Sequence, residues 1–154
     1  MIVDARVYVD TSVLAAYYCP EPLSTTVEAR LTNGSALVLS RLVQAELVST
    51  IARKVRTANM TQEDARAALH VHDAQVSDGV FGLVTLRDAD LRVAISWMKR
   101  LDTSLRTLDG LHLAIADREE LTLLTADTRF AAAARSLGKS VELLNTSPTS
   151  STEH

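Results

Sequence analysis

Short apolar runs alternate with longer stretches of helical spacing along most of the chain. Residues 6–10 (Arg-Val-Tyr-Val-Asp) are β-branched and aromatic and end on an acid, which predicts a strand. Thr11 and Ser12 open an apolar helix over residues 13–18, stopped by Pro20 and Pro22. A second helix is predicted at 23–31, followed by a turn at Asn33-Gly34. Residues 36–39 (Ala-Leu-Val-Leu) have no polar position, as expected of a strand buried on both faces. Ser40 is placed to cap a long helix over 41–56, ended at Asn59, and Thr61 with Asp64 to cap another reaching about residue 76. Further strands are predicted at 80–85, 121–125 and, at an edge, 140–143. Helices are predicted at 88–99, 108–116 and 128–136, the last ended by Gly138.

Strands separated by helices predict a three-layer α/β/α sandwich, with a mostly parallel sheet of four or five strands at its centre. Ligands in such sheets bind beyond the carboxyl ends of the strands. Asp10 and Asp127 both lie just past a predicted strand. Residues 1–144 are expected to form one domain, and the Ser/Thr-rich residues 145–154 a frayed tail. The tail includes a glycosylation sequon, Asn145-Thr146-Ser147, that a cytoplasmic chain would not use.

Composition narrows the function classes. With 154 residues, 47% hydrophobic and 23% charged, the chain is expected to fold around a single core. The acid and base at Asp4 and Arg6 interrupt the apolar run a signal peptide needs, and no stretch is long enough to span a bilayer. Cys19 stands alone, so neither an internal disulfide nor a thiolate metal site is available, and a cytoplasmic location is expected. The net charge of −3 runs against the basic footprint of most nucleic-acid binders. Four of the acids are candidates for one metal site, however, and the balance of the remaining charges is slightly positive.

Taken singly, three of those acids have ordinary explanations. Asp10 and Asp127 precede helices and suit N-caps, and Asp109 in a first helical turn suits the helix dipole. Glu46 is different, because it lies mid-helix beside the apolar positions Leu42, Val43, Leu47, Thr50 and Ile51. A carboxylate at a core edge is costly unless paired, here with an arginine, or bound to a cation. Four converging carboxylates would repel one another unless a cation held them. All-oxygen ligands favour Mg²⁺ or Mn²⁺ over zinc, and such a centre suits phosphodiester hydrolysis.

The segments carrying these acids are Val9-Asp10-Thr11-Ser12-Val13-Leu14, Gln44-Ala45-Glu46-Leu47, Leu108-Asp109-Gly110-Leu111-His112-Leu113-Ala114 and Leu124-Thr125-Ala126-Asp127. In order and separation they resemble the four acidic motifs of PIN domains, over residues 7–143. The length of the chain and its third motif resemble the VapC toxins of bacterial toxin–antitoxin pairs. The resemblance implies a PIN-fold endoribonuclease in which Asp10, Glu46, Asp109 and Asp127 hold one or two Mg²⁺ or Mn²⁺ ions for attack of water on an RNA phosphate. It further implies a VapB-type antitoxin as partner and a homodimer. Thr11 or Ser12 would support a ligand, although capping explains both equally well. Gly110 departs from the alanine more usual at its position and should slightly loosen the helix start.

Other residues receive plainer readings. His112, one turn past Asp109, is expected to be a core or surface histidine, since a hard-cation site has no need of imidazole. His70 and His72 should point to different sides of their helix. Asp88, Asp90, Asp102 and Asp117 are expected to be solvated or capping acids. Arg106 and Arg129 are candidates for RNA phosphate contacts, with surface ion pairs as the alternative. Trp97 and Met98 belong with the core or an interface. Val55, Ala67, Ala68, Leu69 and Val71 suggest surface for an antitoxin segment or a second copy of the chain. Two rivals remain: a catalytically silent PIN module that binds RNA or protein, and a receiver-type phosphoacceptor domain. The latter lacks its paired acid at the first strand, and Lys139 follows a helix rather than a strand.

Overall fold

Five strands form one sheet in the order β3-β2-β1-β4-β5, and every neighbouring pair is parallel. The computed structural model describes residues 6–145. The predicted tail beyond Asn145, most of the sequon and residues 1–5 lie outside the described residues. The strands are β1 (Arg6–Val9), β2 (Ala36–Ser40), β3 (Phe81–Val84), β4 (Thr122–Thr125) and β5 (Val141–Leu143). The helices are α1 (Thr11–Tyr18), α2 (Ser24–Leu31), α3 (Arg41–Arg56), α4 (Gln62–Ser77), α5 (Asp88–Met98), α6 (Thr107–Arg118) and α7 (Thr128–Ser136).

The chain runs outward from β1 through β2 to β3, then returns across the sheet to β4 and on to β5. With right-handed crossovers, the outward connections α1–α4 cover one face and the returning α5–α7 the other. Packing agrees: α1 packs on α2, α3 and α4, α3 on α4, and α5 on α6. The predicted three-layer sandwich is therefore present, with the sheet wholly parallel. Central β1 is buried from Val7 to Val9, and Tyr8 lies opposite Val38 on one side and Leu123 on the other. In α3, Val43, Leu47 and Ile51 are buried at helical spacing, while Ser40 caps the helix by accepting from the Val43 N–H at 3.1 Å. That helix ends through Ala58 in the left-handed region (φ 57°) rather than on Asn59. Among the described residues no helix is long and apolar enough to cross a membrane.

Helix α6 extends beyond the predicted residues 108–116 at both ends, and Gly110 through Ala116 are all buried. Gly110 has a packing reason: a Cβ there would stand 3.2 Å from Ala94 Cβ of α5, so its absence lets the two helices approach closely. Asp90 is the capping acid of the two expected alternatives, but it is buried rather than solvated. It is 2% exposed, accepts from the Arg87 backbone N–H at 2.8 Å, and receives Arg118 Nε and Nη2 at 2.8 and 3.0 Å. Arg118 also donates to the Thr85 carbonyl, so this pair ties α5, α6 and the end of β3 together. Asp88 pairs instead with Arg92 on the surface, Asp102 with Arg100, and Asp117 with Lys139. His70 is exposed and His72 buried, as predicted, with His72 Nδ1 2.9 Å from the Tyr18 hydroxyl.

Burial alone would push the Asp90 pKa up, but the Arg118 hydrogen bonds and charge outweigh it and hold the carboxyl below its ordinary 3.8. The ionised pair therefore contributes fully above the unfolded-state value, and its contribution is lost as pH falls through the lower folded-state value. Arg118→Met should cost about 3 kcal/mol at neutral pH by leaving Asp90 charged and poorly compensated. Urea denaturation at neutral and strongly acidic pH should show this gap shrinking in acid. A gap independent of pH would exclude the ion pair as its source.

Candidate functional site

Connections leave β1 and β4 in opposite directions although the two strands are neighbours. The crevice beyond their carboxyl ends is where this class of sheet binds ligands. Asp10 stands at its floor, where its N–H donates to the Leu124 carbonyl at 2.9 Å and extends the strand ladder by one step. It occupies the N-cap position of α1, yet its side chain makes no capping bond. The carboxylate instead accepts from Ser12 Oγ at 2.8 Å and Thr125 Oγ1 at 2.9 Å, both at Oδ2, and Asp10 is only 7% exposed. The capping explanation for Asp10 therefore fails. Burial drives its pKa up; the His112 ring and the two hydroxyls oppose that rise, and Glu46 adds to it.

The two hydroxyls are themselves fixed by backbone. Ser12 Oγ accepts from the Ala126 N–H at 3.0 Å, and Thr125 Oγ1 from the Asp127 N–H at 3.1 Å. Asp10 is thereby tied to the turn that presents Asp127. Asp127 does cap its helix, as predicted, through Oδ1 and the Phe130 N–H at 3.1 Å. Its other oxygen, Oδ2, lies 3.8 Å from Arg129.

Glu46 comes from the opposite side of the crevice, on α3. Its Oε1 accepts from Thr11 Oγ1 at 3.3 Å and is also met by His112 Nε2. The expected arginine partner is thus a histidine, reached from α6. His112 is 1% exposed, so the expectation of a core histidine holds for its burial and fails for its isolation. Its Nδ1 lies 2.6 Å from the Tyr8 hydroxyl, which lies 2.6 Å from Ser40 Oγ. Sequence reasoning did not place Tyr8, Ser40 or Thr125 at the site. One signal was present: Tyr8 and Asp10 share a strand face at a spacing of two, and a tyrosine in a doubly buried strand needs a partner for its hydroxyl.

Asp109 lies in the first turn of α6, and its Oδ2 accepts from Arg129 Nη2 at 2.6 Å. Arg129 also donates through Nη1 to the Ser104 carbonyl at 2.6 Å. The alternative of an ion pair is therefore realised for Arg129, but within the acid cluster, where it spans Asp109 and Asp127. Arg106 is exposed at the N-cap position of α6 and makes no capping bond.

The four acids thus stand as two groups, Asp10 and Glu46 beside His112, and Asp109 with Asp127 on Arg129. Among the described residues no three His, Cys, Asp or Glu side chains are gathered closely enough to hold a metal ion. The donor chemistry nevertheless fits a hard divalent cation: every acid offers carboxylate oxygen, and buried Asp10 is hydrogen-bonded to hydroxyls rather than paired directly with a cationic group. Arg129 supplies the positive charge between the other two.

The PIN domain family model matches residues 7–136. No curated protein matches the sequence significantly. The fold is similar to FitAcB of Neisseria gonorrhoeae, with a TM-score of 0.66 and 23% identity over 88% of this chain and 95% of that one. It is also similar to a sarcin–ricin-loop-cleaving VapC toxin of Mycobacterium tuberculosis (TM-score 0.65, 20% identity, 82% and 94% covered). A third similar structure is VapBC2 of Rickettsia felis bound to promoter DNA (TM-score 0.65, 14% identity, 91% and 99% covered). At these identities the likeness establishes fold, while the family model spans most of the sequence and sets the receiver-type alternative aside. By sequence and by fold, this chain belongs to the PIN-domain family.

Proposed function

We propose that the protein is a Mg²⁺- or Mn²⁺-dependent endoribonuclease, acting in the cytoplasm as the toxin of a type II toxin–antitoxin pair. The observation that carries this reading is the Asp10 carboxylate, buried at the topological switch point with two hydroxyls fixed on it and Glu46 beside it. Asp10, Glu46, Asp109 and Asp127 would hold the cation. A divalent ion bound there lowers the pKa of water, orients the phosphate and stabilises charge on the leaving oxygen. Ser12 and Thr125 keep Asp10 in place, and Thr11 supports Glu46. Arg129, once released from Asp109, is within reach of an incoming phosphate, and exposed Arg106 provides a second basic contact at the rim.

Support for RNA as substrate comes from the fold neighbour described as cleaving the sarcin–ricin loop. The neighbouring VapBC complexes of Rickettsia felis and Salmonella typhimurium, both bound to DNA, support an antitoxin partner. An open groove of about 690 Å³, lined by Tyr17, Tyr18, Met60, Ala68 and Val71 with Glu28 and Asp64 beside them, offers a partly apolar seat for an antitoxin segment. Exposed Leu91 and Ile95, one turn apart on α5, offer a seat for a second copy. One observation favours the silent-module reading: Arg129 already neutralises part of the acid cluster.

Asp10→Asn and Asp127→Asn should each abolish Mg²⁺-dependent cleavage of a defined RNA and relieve growth arrest on expression, with the far-ultraviolet circular dichroism unchanged. Cleavage retained by either folded variant would remove that acid from the site, and no cleavage by the unsubstituted protein with Mg²⁺ or Mn²⁺ would favour the silent module. The partner proposal is tested by expressing the chain with any adjacent small open reading frame and sizing the product. A complex larger than one chain is expected; a monomer that retains no small protein would contradict both the antitoxin and the homodimer.

A further inference from the structure

A chain of buried polar atoms runs behind the site and returns to the helix it started from. Ser40 Oγ accepts from the Val43 N–H and so caps α3. It lies 2.6 Å from the Tyr8 hydroxyl, which lies 2.6 Å from His112 Nδ1, and His112 Nε2 meets Glu46 on α3. Ser40 and Tyr8 are fully buried and His112 is 1% exposed. The end of β2, β1, α6 and α3 are thus joined by three side-chain hydrogen bonds across the core.

The direction of these bonds follows from what each atom can donate. An ionised carboxylate only accepts, so His112 Nε2 must carry a proton. On the other side of the ring, Nδ1 and the Tyr8 hydroxyl share one proton, and that hydroxyl also bonds Ser40. Burial pushes the Tyr8 pKa well above its ordinary value, which keeps the phenol protonated as a donor. The opposite tautomer would aim a lone pair of His112 at the Glu46 carboxylate. A proton on Nε2 is therefore common to every arrangement that satisfies all three bonds.

We propose that Tyr8 and His112 are positioning residues that hold the Glu46 carboxylate toward the cation position, His112 donating through Nε2 and Tyr8 fixing the ring from its Nδ1 side. This rests on the acids being the cation site of the proposed nuclease. The arrangement inverts the usual support of a metal centre, in which a carboxylate orients a ligating histidine. Here the histidine orients the carboxylate and takes no place among the oxygen donors.

Two measurements test the proposal, neither of which depends on RNA cleavage. Long-range ¹H–¹⁵N correlation spectra of the metal-free protein should show a proton on His112 Nε2, and Tyr8→Phe should shift the Nδ1 resonance while leaving that proton in place. Mn²⁺ titration followed by electron paramagnetic resonance should show His112→Asn weakened about 10- to 100-fold. Asn keeps a donor at the Nδ1 position and none at Nε2. His112→Gln keeps a donor at the Nε2 position and should bind Mn²⁺ close to the unsubstituted protein. A ring without a proton at Nε2 in the unsubstituted protein overturns the proposal, as does an Nδ1 resonance indifferent to Tyr8→Phe. Equal Mn²⁺ affinities in the Asn and Gln variants, both folded by circular dichroism, overturn it as well, since ring volume rather than the Nε2 donor would then decide. Should the unsubstituted protein itself bind no Mn²⁺, the cation site fails, while the spectra still decide the Nε2 proton.

Discussion

Taking the Asp10 carboxylate out of water is the constraint around which the rest of the site is arranged. An ionised acid at the end of the central strand is unfavourable unless something replaces its hydration, and two hydroxyls do so only partly. Those hydroxyls are useful because they are rigid: Ser12 is held by the Ala126 N–H and Thr125 holds the Asp127 N–H. The same few bonds therefore fix the ends of β1 and β4 against each other and set two acids on one crevice. Burial that raises the Asp10 pKa also makes it a strong ligand for any cation that restores the lost charge balance.

The remaining acids meet the same demand differently. Glu46 leans on His112, so its negative charge faces a donor drawn from the core. Asp109 and Asp127 share Arg129, a flexible cation from the first turn of α7. Such a partner can withdraw in a way that a buried cation could not, because its side chain is 31% exposed. His112 and Arg129 thus face the acids from two sides, and oxygen donors remain that a divalent ion could gather.

Much of this was legible in the chain alone, because the determining signals are local. Alternation of short apolar runs and amphipathic helices specified a mostly parallel sheet, which proves wholly parallel, and acids just past β1 and β4 fell at its switch point. Helix caps at Ser40, Thr61 and Asp127 were readable from residue type and position. What could not be read depended on distance. His112 finds Glu46 across 66 residues and Tyr8 across 104, pairings that no periodicity encodes. Asp90 looked like a capping acid, and its cap to Arg87 is real; its burial follows from Arg118, 28 residues later. Gly110 seemed a weak helix residue until Ala94 came to lie against it.

The proposed function requires the four carboxylates to act together as one cation site, although they stand as two groups, Asp10 with Glu46 and Asp109 with Asp127. Anomalous diffraction from crystals grown with Mn²⁺ tests this most directly. One or two peaks should appear in the crevice beyond β1 and β4, bounded by Asp10, Glu46, Asp109 and Asp127, with the Arg129 guanidinium withdrawn from Asp109. A crevice without a peak, and Arg129 still on Asp109, would contradict it.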